Sequence, residues 1–418
     1  MTASAVSELH PDDEALLERA QRECFRYFWD FAHPVSGLAR DRSRGPDDPG
    51  DDTMAIGGSG FGVMAMLVAI ERGWIGRGDA VSHIANSLDF LANAERFHGA
   101  FPHFMDGKTG KAIAFGELDD GADLVETSLL IQGLLAARQY FDGTDRAETE
   151  LRAAIDKLWH EVEWDWFLRG GTTQLYWHWS PRHEWKMNFL VRGWNECLIT
   201  YLLAVAAPRH AIPPEAYHTG WATGHEFLNG KDYYGVTLPL GPEYGGPLFF
   251  THYSFMGLDP RGLEDRYANY WQQNQAHALI NYRHCQENPN GYLGYGPDCW
   301  GLTASDTVDG YTAHAPDRDK GVISPTAAVA SVPYLPEQSL AALRRFSADP
   351  RLWGRFGLID AFSETHDWYA PTHLAIDQGP IVVMVENFRS GLLWKHFMTA
   401  PEIREGLRKL EFHEPALV

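Results

Sequence analysis

Positive charge is in short supply in this chain: 35 lysines and arginines stand against 56 aspartates and glutamates, a formal net charge of −21 at pH 7. Nucleic acid and anionic membranes are bound through clustered cations, so no nucleic acid or membrane partner is expected and a neutral ligand fits better. Cysteine is scarce too. Cys24, Cys197, Cys285 and Cys299 lie far apart and form no CxxC pair, which supports neither a disulfide framework nor a zinc ribbon. The longest apolar run, residues 61–70, is far short of the ~20 residues that a membrane-spanning helix needs. The first twenty residues have no basic segment followed by an apolar stretch, so the sequence as it stands reads as cytoplasmic, with a periplasmic or secreted location open if a signal was removed.

Familiar cofactor and nucleophile signatures are missing as well. "GGSGFG" at residues 57–62 has the spacing of neither GxGxxG, a P-loop nor GxSxG. Nineteen histidines show no HExxH spacing; His178 and His183 are read as surface or cleft residues rather than zinc ligands. No metal and no cofactor is expected. Strand signals are sparse, the best being residues 173–179, a candidate for a small β-hairpin.

What the chain does have is helical periodicity. With 44% hydrophobic residues it can bury a large core, and apolar spacing marks helices over residues 12–31, 58–74, 80–95, 123–140, 147–159, 194–205, 214–228, 263–287, 325–332, 336–346, 380–394 and 401–410. Helices without strands alternating between them argue against a TIM barrel or Rossmann sheet. The expected fold is all-α, six helical hairpins closed into an (α/α)6 barrel, with a minor β-hairpin. No linker divides it, so residues 1–418 are read as one domain. Fifteen tryptophans and 13% aromatic content are high; many of these rings neighbour Gly, Asn, Asp or His, a pairing that suits sugar rings, although filling a large core explains tryptophan equally well.

Four segments could carry chemistry. In "GELDDGADLVETSLL", Asp119, Asp123 and Glu126 fall on one stripe if a helix starts near Asp123; complementing the helix dipole explains one or two of them. Asp119, Asp120 and Asp123 also spell DDxxD, the metal-diphosphate pattern of terpene cyclases, but Gly121 interrupts it and no second metal motif follows. Glu196, beside Trp194 at the start of an apolar helix, suits a general acid if an aromatic pocket raises its pKa, or else merely caps the helix. The Gly-rich stretch at residues 291–311 groups Tyr292, Tyr295, Asp298, Trp300 and Asp306 in a loop that is functional or simply packed. Asp377 precedes Gly379 and Pro380, where an N-cap with proline in the first turn is the plain reading.

Taken together, "FRYFWDF", "GLARDRS", "IGGSGFG", "WNECLITYLLA", "GGPLFFTHYS", "NPNGYLGYGPDCWGLTASD", "SPTAAVASVPYLPE", "LWGRFGLIDAF" and "LAIDQGPIVVMVENFRSGLLW" resemble, in order and over nearly the whole chain, a bacterial family once labelled putative glucoamylase. Its characterised members are β-1,2-glucanases of glycoside hydrolase family 144. The resemblance implies an (α/α)6 barrel, hydrolysis of β-1,2-glucosidic bonds with inversion, and either endo action or release of sophorose. It places essential acids at Asp119, Asp123, Glu126, Glu196 and Asp377, with Glu196 as acid and Asp377 as base. Substrate contacts are then expected from Asp119, Asp123, Glu126, Trp300 and Asp306, with Trp194 and Tyr295 as further stacking candidates. A transglycosylase acting on β-1,2-glucan, a hydrolase of another linkage, and a catalytically silent glycan-binding protein stay open.

Overall fold

Three long helices are buried on every side, and the sequence shows why. In α2 (Ile56–Glu71) the residues from Ile56 to Ala69 are buried without a break; in α4 (Leu124–Tyr140) so is every residue from Thr127 to Arg138, and in α10 (Ala375–Arg389) every one from Asp377 to Asn387. Such helices carry apolar or small residues all round rather than on one stripe, as a central element must. The computed structural model describes residues 9–413. Around the three run α1 (Pro11–Trp29), α3 (Arg77–Asn93), α5 (Arg146–His160), α6 (Leu198–Ala206), α7 (Tyr270–Glu287), α8 (Pro325–Val329), α9 (Pro336–Ala348), α11 (Leu392–Met398) and α12 (Pro401–Lys409). The outer helix α5 shows the contrasting pattern, burying only Glu148, Leu151, Ile155, Leu158 and Trp159 along one face.

Helix α2 packs on both α4 and α10, and α10 on α1. The α2–α4 crossing depends on two glycines. A Cβ on Gly60 would lie 2.3 Å from the Leu129 carbonyl oxygen, and one on Gly133 only 2.1 Å from that of Gly60. Backbones this close admit no side chain. One apolar core extends from Leu17 to Phe412, with a small satellite formed by Tyr233, Leu238 and Ile280.

The described residues are thus mostly helical, with strands no longer than four residues. No helix among them is long and apolar enough to cross a membrane. The expected strand at residues 173–179 is present only as His178–Trp179, and it pairs with Ala122–Asp123 rather than with a local neighbour. A true local hairpin lies elsewhere, Ala304–Thr307 against Gly310–Ala313.

Several helix bounds differ from the periodic reading. Residues 214–228 hold only a π-helical turn, Tyr217–Trp221, ended shortly before Gly224 at φ +86°. Helix α7 starts at Tyr270, not at residue 263, because the Asp265 carboxylate accepts the Tyr267 and Ala268 amides (2.8 and 3.1 Å) in a turn, and Asn269 then caps the helix through the Gln272 amide at 3.0 Å. The segment at 380–394 is two helices, α10 and α11, separated by Gly391 at φ +70°. α10 begins five residues ahead of Pro380, which therefore sits inside the helix.

Candidate active site

The helix starts bring the acids together. Asp123 is the N-cap of α4: its Oδ1 accepts the Val125 and Glu126 amides at 3.0 and 2.9 Å. Its Oδ2 lies 3.0 Å from His103 Nδ1 and 3.5 Å from His178 Nε2, which is itself 3.3 Å from Asp119 Oδ2. The pairing of Ala122–Asp123 with His178–Trp179 holds this arrangement, and a Cβ on Gly121 would meet the Trp179 carbonyl oxygen at 2.3 Å. Capping and chemistry are therefore both functions of Asp123. Asp120 turns away to Arg182, so the three aspartates of DDxxD do not share a face, and the diphosphate reading is overturned. His103, Asp119 and Asp123 bring donor atoms within 4.8 Å of one another, close enough for a metal ion; here those atoms are engaged in the His103–Asp123 and Asp119–His178 contacts.

Electrostatics separates these groups. Burial opposes ionisation of Asp123, but hydrogen bonds from His103 and His178 outweigh it and hold its carboxyl well below the usual range. Burial also disfavours a charged His103, yet Glu126 and Asp123 overcome this and lift it to about 9. Glu126 is pushed up to about 6 by burial, against the pull of His103 and its hydrogen bond from the Gly57 amide at 2.7 Å. Burial and then the Asp123 charge raise Asp119.

Glu196 lies in the turn before α6 rather than in its first turn, and Cys197 holds the N-cap position. Ser254 fixes its backbone: the hydroxyl donates to the Glu196 carbonyl and accepts the Ile199 amide at 3.1 Å. The side chain caps nothing. It is buried, and burial first, with Glu126 and Asp123 adding repulsion, pushes it up to about 7.

Asp377 is not an N-cap either; Leu374 holds that position. Its carboxyl is buried in the first turn of α10, and burial together with the charge of neighbouring Asp360 pushes it well above its ordinary range. Asp360 Oδ2 accepts the Asp306 amide at 2.7 Å. The Asp306 carboxylate takes hydrogen bonds from Arg42 at 3.0 Å and from the Thr372 hydroxyl at 2.7 Å.

Tyr253 joins the two halves. Its hydroxyl is buried and feels the charges of Asp377, Glu126 and Glu196, all of which raise its pKa after burial itself. One residue thus reports on acids from three helix starts.

The predicted aromatic contacts fare differently. Trp300 is 0% exposed and donates its Nε1–H to the Gln338 carbonyl, while Trp194 is 2% exposed among Trp221, Phe255 and Tyr270. Both are core residues with no free ring face. Tyr295 is half-buried and spends its hydroxyl on Asp319 at 2.8 Å. The rings that do stand open near the acids are Phe115, stacked on His103 with centroids 4.4 Å apart; Phe189, 6.0 Å from the His178 ring; and Tyr311, its ring partly exposed while its hydroxyl is turned in beside Asp377 and Asp360. Sequence reading missed these three together with His103, Asp360 and Tyr253. Asp360 and Tyr253 lie inside the blocks "LWGRFGLIDAF" and "GGPLFFTHYS", and Tyr311 ends the Gly-rich stretch at residues 291–311; the other three had no signal.

Comparison with known proteins gives a consistent set. The family model described as "Putative glucoamylase" matches residues 188–401. An exo β-1,2-glucooligosaccharide sophorohydrolase (non-reducing end) from Parabacteroides distasonis is 46% identical over 96% of this chain; the chain spans 58% of that protein's length. The crystal structure of a putative glucoamylase from Bacteroides uniformis superposes with a TM-score of 0.94 at 52% identity, covering 98% of this chain and 99% of the other. An endo-β-1,2-glucanase from Chitinophaga pinensis, solved with sophorotriose and glucose, does so with a TM-score of 0.93 at 53% identity, covering 96% and 99%.

Proposed function

The chain belongs to the putative glucoamylase family, and we propose that it is a glycosidase that hydrolyses β-1,2-glucosidic bonds of β-1,2-glucan or sophoro-oligosaccharides with inversion, on a single (α/α)6 barrel domain. The relatives named for β-1,2-glucan chemistry support the substrate. The long helices α2, α4 and α10 and the short α6, each buried on every side, support the barrel, as an inner ring requires.

The observation that carries the mechanism is that Tyr253, bound through its hydroxyl to the Ile376 carbonyl next to Asp377, feels the charges of Asp377, Glu126 and Glu196 together. Inversion needs one carboxylic acid to protonate the departing oxygen and one carboxylate on the opposite face to activate water. Glu196, raised to about 7, holds a proton near neutral pH and is the acid. Asp377, on a different helix, is the base, and it acts in its ionised form, which burial and the neighbouring Asp360 make harder to reach. As the water loses a proton to Asp377, its oxygen bonds to the anomeric carbon, the glycosidic C–O bond breaks, and the leaving oxygen takes the Glu196 proton. Asp119, Asp123 and Glu126 offer charge-assisted hydrogen bonds to sugar hydroxyls, and Phe115, Phe189 and Tyr311 offer ring faces. Asp306 acts from behind, through Arg42 and the Asp360 contact.

The test is incubation with linear β-1,2-glucan, sophorotriose and soluble starch, with early products separated by chromatography and their anomers read by NMR. Cleavage of β-1,2-linked substrate with an α-anomer formed first is the expected result. A ladder of oligomers marks endo action and sophorose alone marks exo action. A β-anomer as first product overturns inversion, and no cleavage of β-1,2 linkages overturns the substrate.

A further inference from the structure

Of the fifteen tryptophans, Trp166 alone stands well out in water, 38% exposed, while the others are buried or half-buried. It lies on the short 3-10 helix Trp164–Leu168 that follows α5. Glu163 Oε2, 2.8 Å from His98 Nδ1, steadies the imidazole, which lies flat on one face of the Trp166 ring with centroids 3.8 Å and planes 13° apart. What remains open of the ring borders a hollow of about 590 Å3, which is also lined by Trp185, its ring centroid 6.0 Å away. Polar groups surround this aromatic floor. They are Asp165 and His210, 3.5 Å apart, and Arg169, whose guanidinium lies over Tyr176 and Trp185 at 5.5 and 5.9 Å rather than against a carboxylate.

Open rings set among hydrogen-bonding groups suit a sugar: the C–H face of a pyranose packs on the indole while its hydroxyls meet carboxylate, imidazole and guanidinium. The volume falls within the roughly 300–1,000 Å3 of ligand pockets. A net charge of −21 favours a neutral occupant over a polyanion. The hollow is also joined to the acids. His98 meets Trp179 edge-on at 5.5 Å, and Trp179 is the strand neighbour of His178, whose Nε2 faces Asp119 and Asp123. Successive side chains of a strand point to opposite faces, so the acids and the hollow lie on the two sides of one strand.

We propose that the hollow between Trp166 and Trp185 is a second glycan site, outside the cluster of acids, which holds a further stretch of the same β-1,2-glucan chain that is cut at the acids. This rests on β-1,2-glucan being the substrate. Such a site serves long chains only: a trisaccharide seated at the acids does not reach it, whereas a polymer is held at both places and gains in affinity without any change in the chemical step.

The experiment has two arms. Kinetics compare wild type with Trp166→Ala on polymeric β-1,2-glucan and on sophorotriose. Native gels containing β-1,2-glucan, soluble starch or no polysaccharide compare Glu196→Gln with Glu196→Gln/Trp166→Ala, so that little is cut during the run. Trp166→Ala is expected to raise KM about 5-fold on the polymer, with kcat and both constants on sophorotriose unchanged, and to weaken retardation by β-1,2-glucan. Unchanged KM on the polymer together with unchanged retardation overturns the proposal. So does a KM that rises as much on sophorotriose, which makes Trp166 part of the cleft at the acids, and so does retardation by starch alone. Should Trp166→Ala not fold, the indole N–H resonance of Trp166 in Glu196→Gln, assigned with Trp166→Phe, takes its place: it should move on adding β-1,2-glucan, and a resonance that stays put refutes the site. Wild type that leaves β-1,2-glucan uncut overturns the function reading. The gels then still decide the hollow, upheld by retardation in β-1,2-glucan that Trp166→Ala weakens and refuted by none.

Discussion

The hydroxyl of Tyr253 donates to the carbonyl of Ile376 at 3.3 Å, and that carbonyl is free because Pro380, four residues on, has no N–H with which to claim it. Proline inside a helix leaves one carbonyl unserved. Here the residue placed among Glu126, Glu196 and Asp377 serves it, so the helix defect beside Asp377 becomes the anchor of the tyrosine. Tyr253→Phe is expected to cost about 1 kcal/mol of stability. In a Pro380→Ala background, where an amide can take the carbonyl, the same change should cost clearly less. Chemical denaturation of the four proteins measures this, and an unchanged penalty in the second background disproves the coupling.

Glu196→Gln and Asp377→Asn should each lower kcat by about 10²- to 10⁴-fold while sugar binding, read by calorimetry, stays nearly intact. Since the acid works protonated and Glu196 sits at about 7, wild-type activity is expected to fall as pH rises through that value. Near-normal turnover in either variant removes that residue from the mechanism.

The same carboxyl costs stability. Burial raises Glu196 from 4.5 to about 7, so the folded state binds its proton more tightly than the unfolded chain. Its contribution is fully present below about 4.5 and is lost as pH rises through about 7. Glu196→Gln, which cannot ionise, should be more stable than wild type at pH 8, by up to about 3 kcal/mol, and nearly equal to it at pH 4. Thermal melts at the two pH values decide; a variant no more stable at pH 8 shows that the site is wetter than its burial indicates.

How far the sequence reaches is visible at Asp123 and Asp377. For Asp123 local reading predicts a helix start, and the cap hydrogen bonds to Val125 and Glu126 bear this out. At Asp377 the same reasoning gives the wrong boundary: Gly-Pro looks like a beginning, whereas α10 starts at Ala375 and a distant tyrosine compensates for the proline. Helices with continuous apolar runs were legible because burial is written into each residue. The 263–269 turn was not, because one aspartate side chain outcompetes an otherwise helical pattern. Aromatic contacts were the least legible. Tryptophan beside polar residues reads as a sugar platform, but Trp194 and Trp300 go to the core, and whether a ring is open depends on neighbours far away in sequence.

His103 links the site to stability as well, but its charged form is the one the site favours, whereas burial disfavours the charged form of Glu196. Burial disfavours its charge, but Glu126 and Asp123 raise it from 6.5 to about 9. Its stabilising contribution is fully present below about 6.5 and is lost as pH rises through about 9, while that of Asp123, whose folded value is depressed, is present above about 4 and lost on acidification. Their pairing is therefore strongest between those limits. His103→Ala should cost about 1–3 kcal/mol at pH 6, since it takes a donor from a fully buried carboxylate, and much less at pH 10. An equal penalty at both values, measured by denaturant unfolding, shows that His103 contributes packing rather than charge.

Phe115 is the sharpest test of which rings touch sugar. It is 57% exposed and covers one face of His103 at 4.4 Å. A phenylalanine left in water without a ligand gains nothing for the fold, so its removal should barely alter the melting temperature. A sugar ring seated on it loses a contact worth about 1 kcal/mol, which predicts a rise in KM of about 5-fold for Phe115→Ala with kcat little changed. Trp300→Ala should do the reverse: the ring is fully enclosed, so the fold loses about 3–5 kcal/mol, and any loss of activity should track unfolded protein. If Trp300→Ala stays folded and raises KM while Phe115→Ala changes neither constant, the substrate lies on the other side of the acids, against the loop that carries Tyr295.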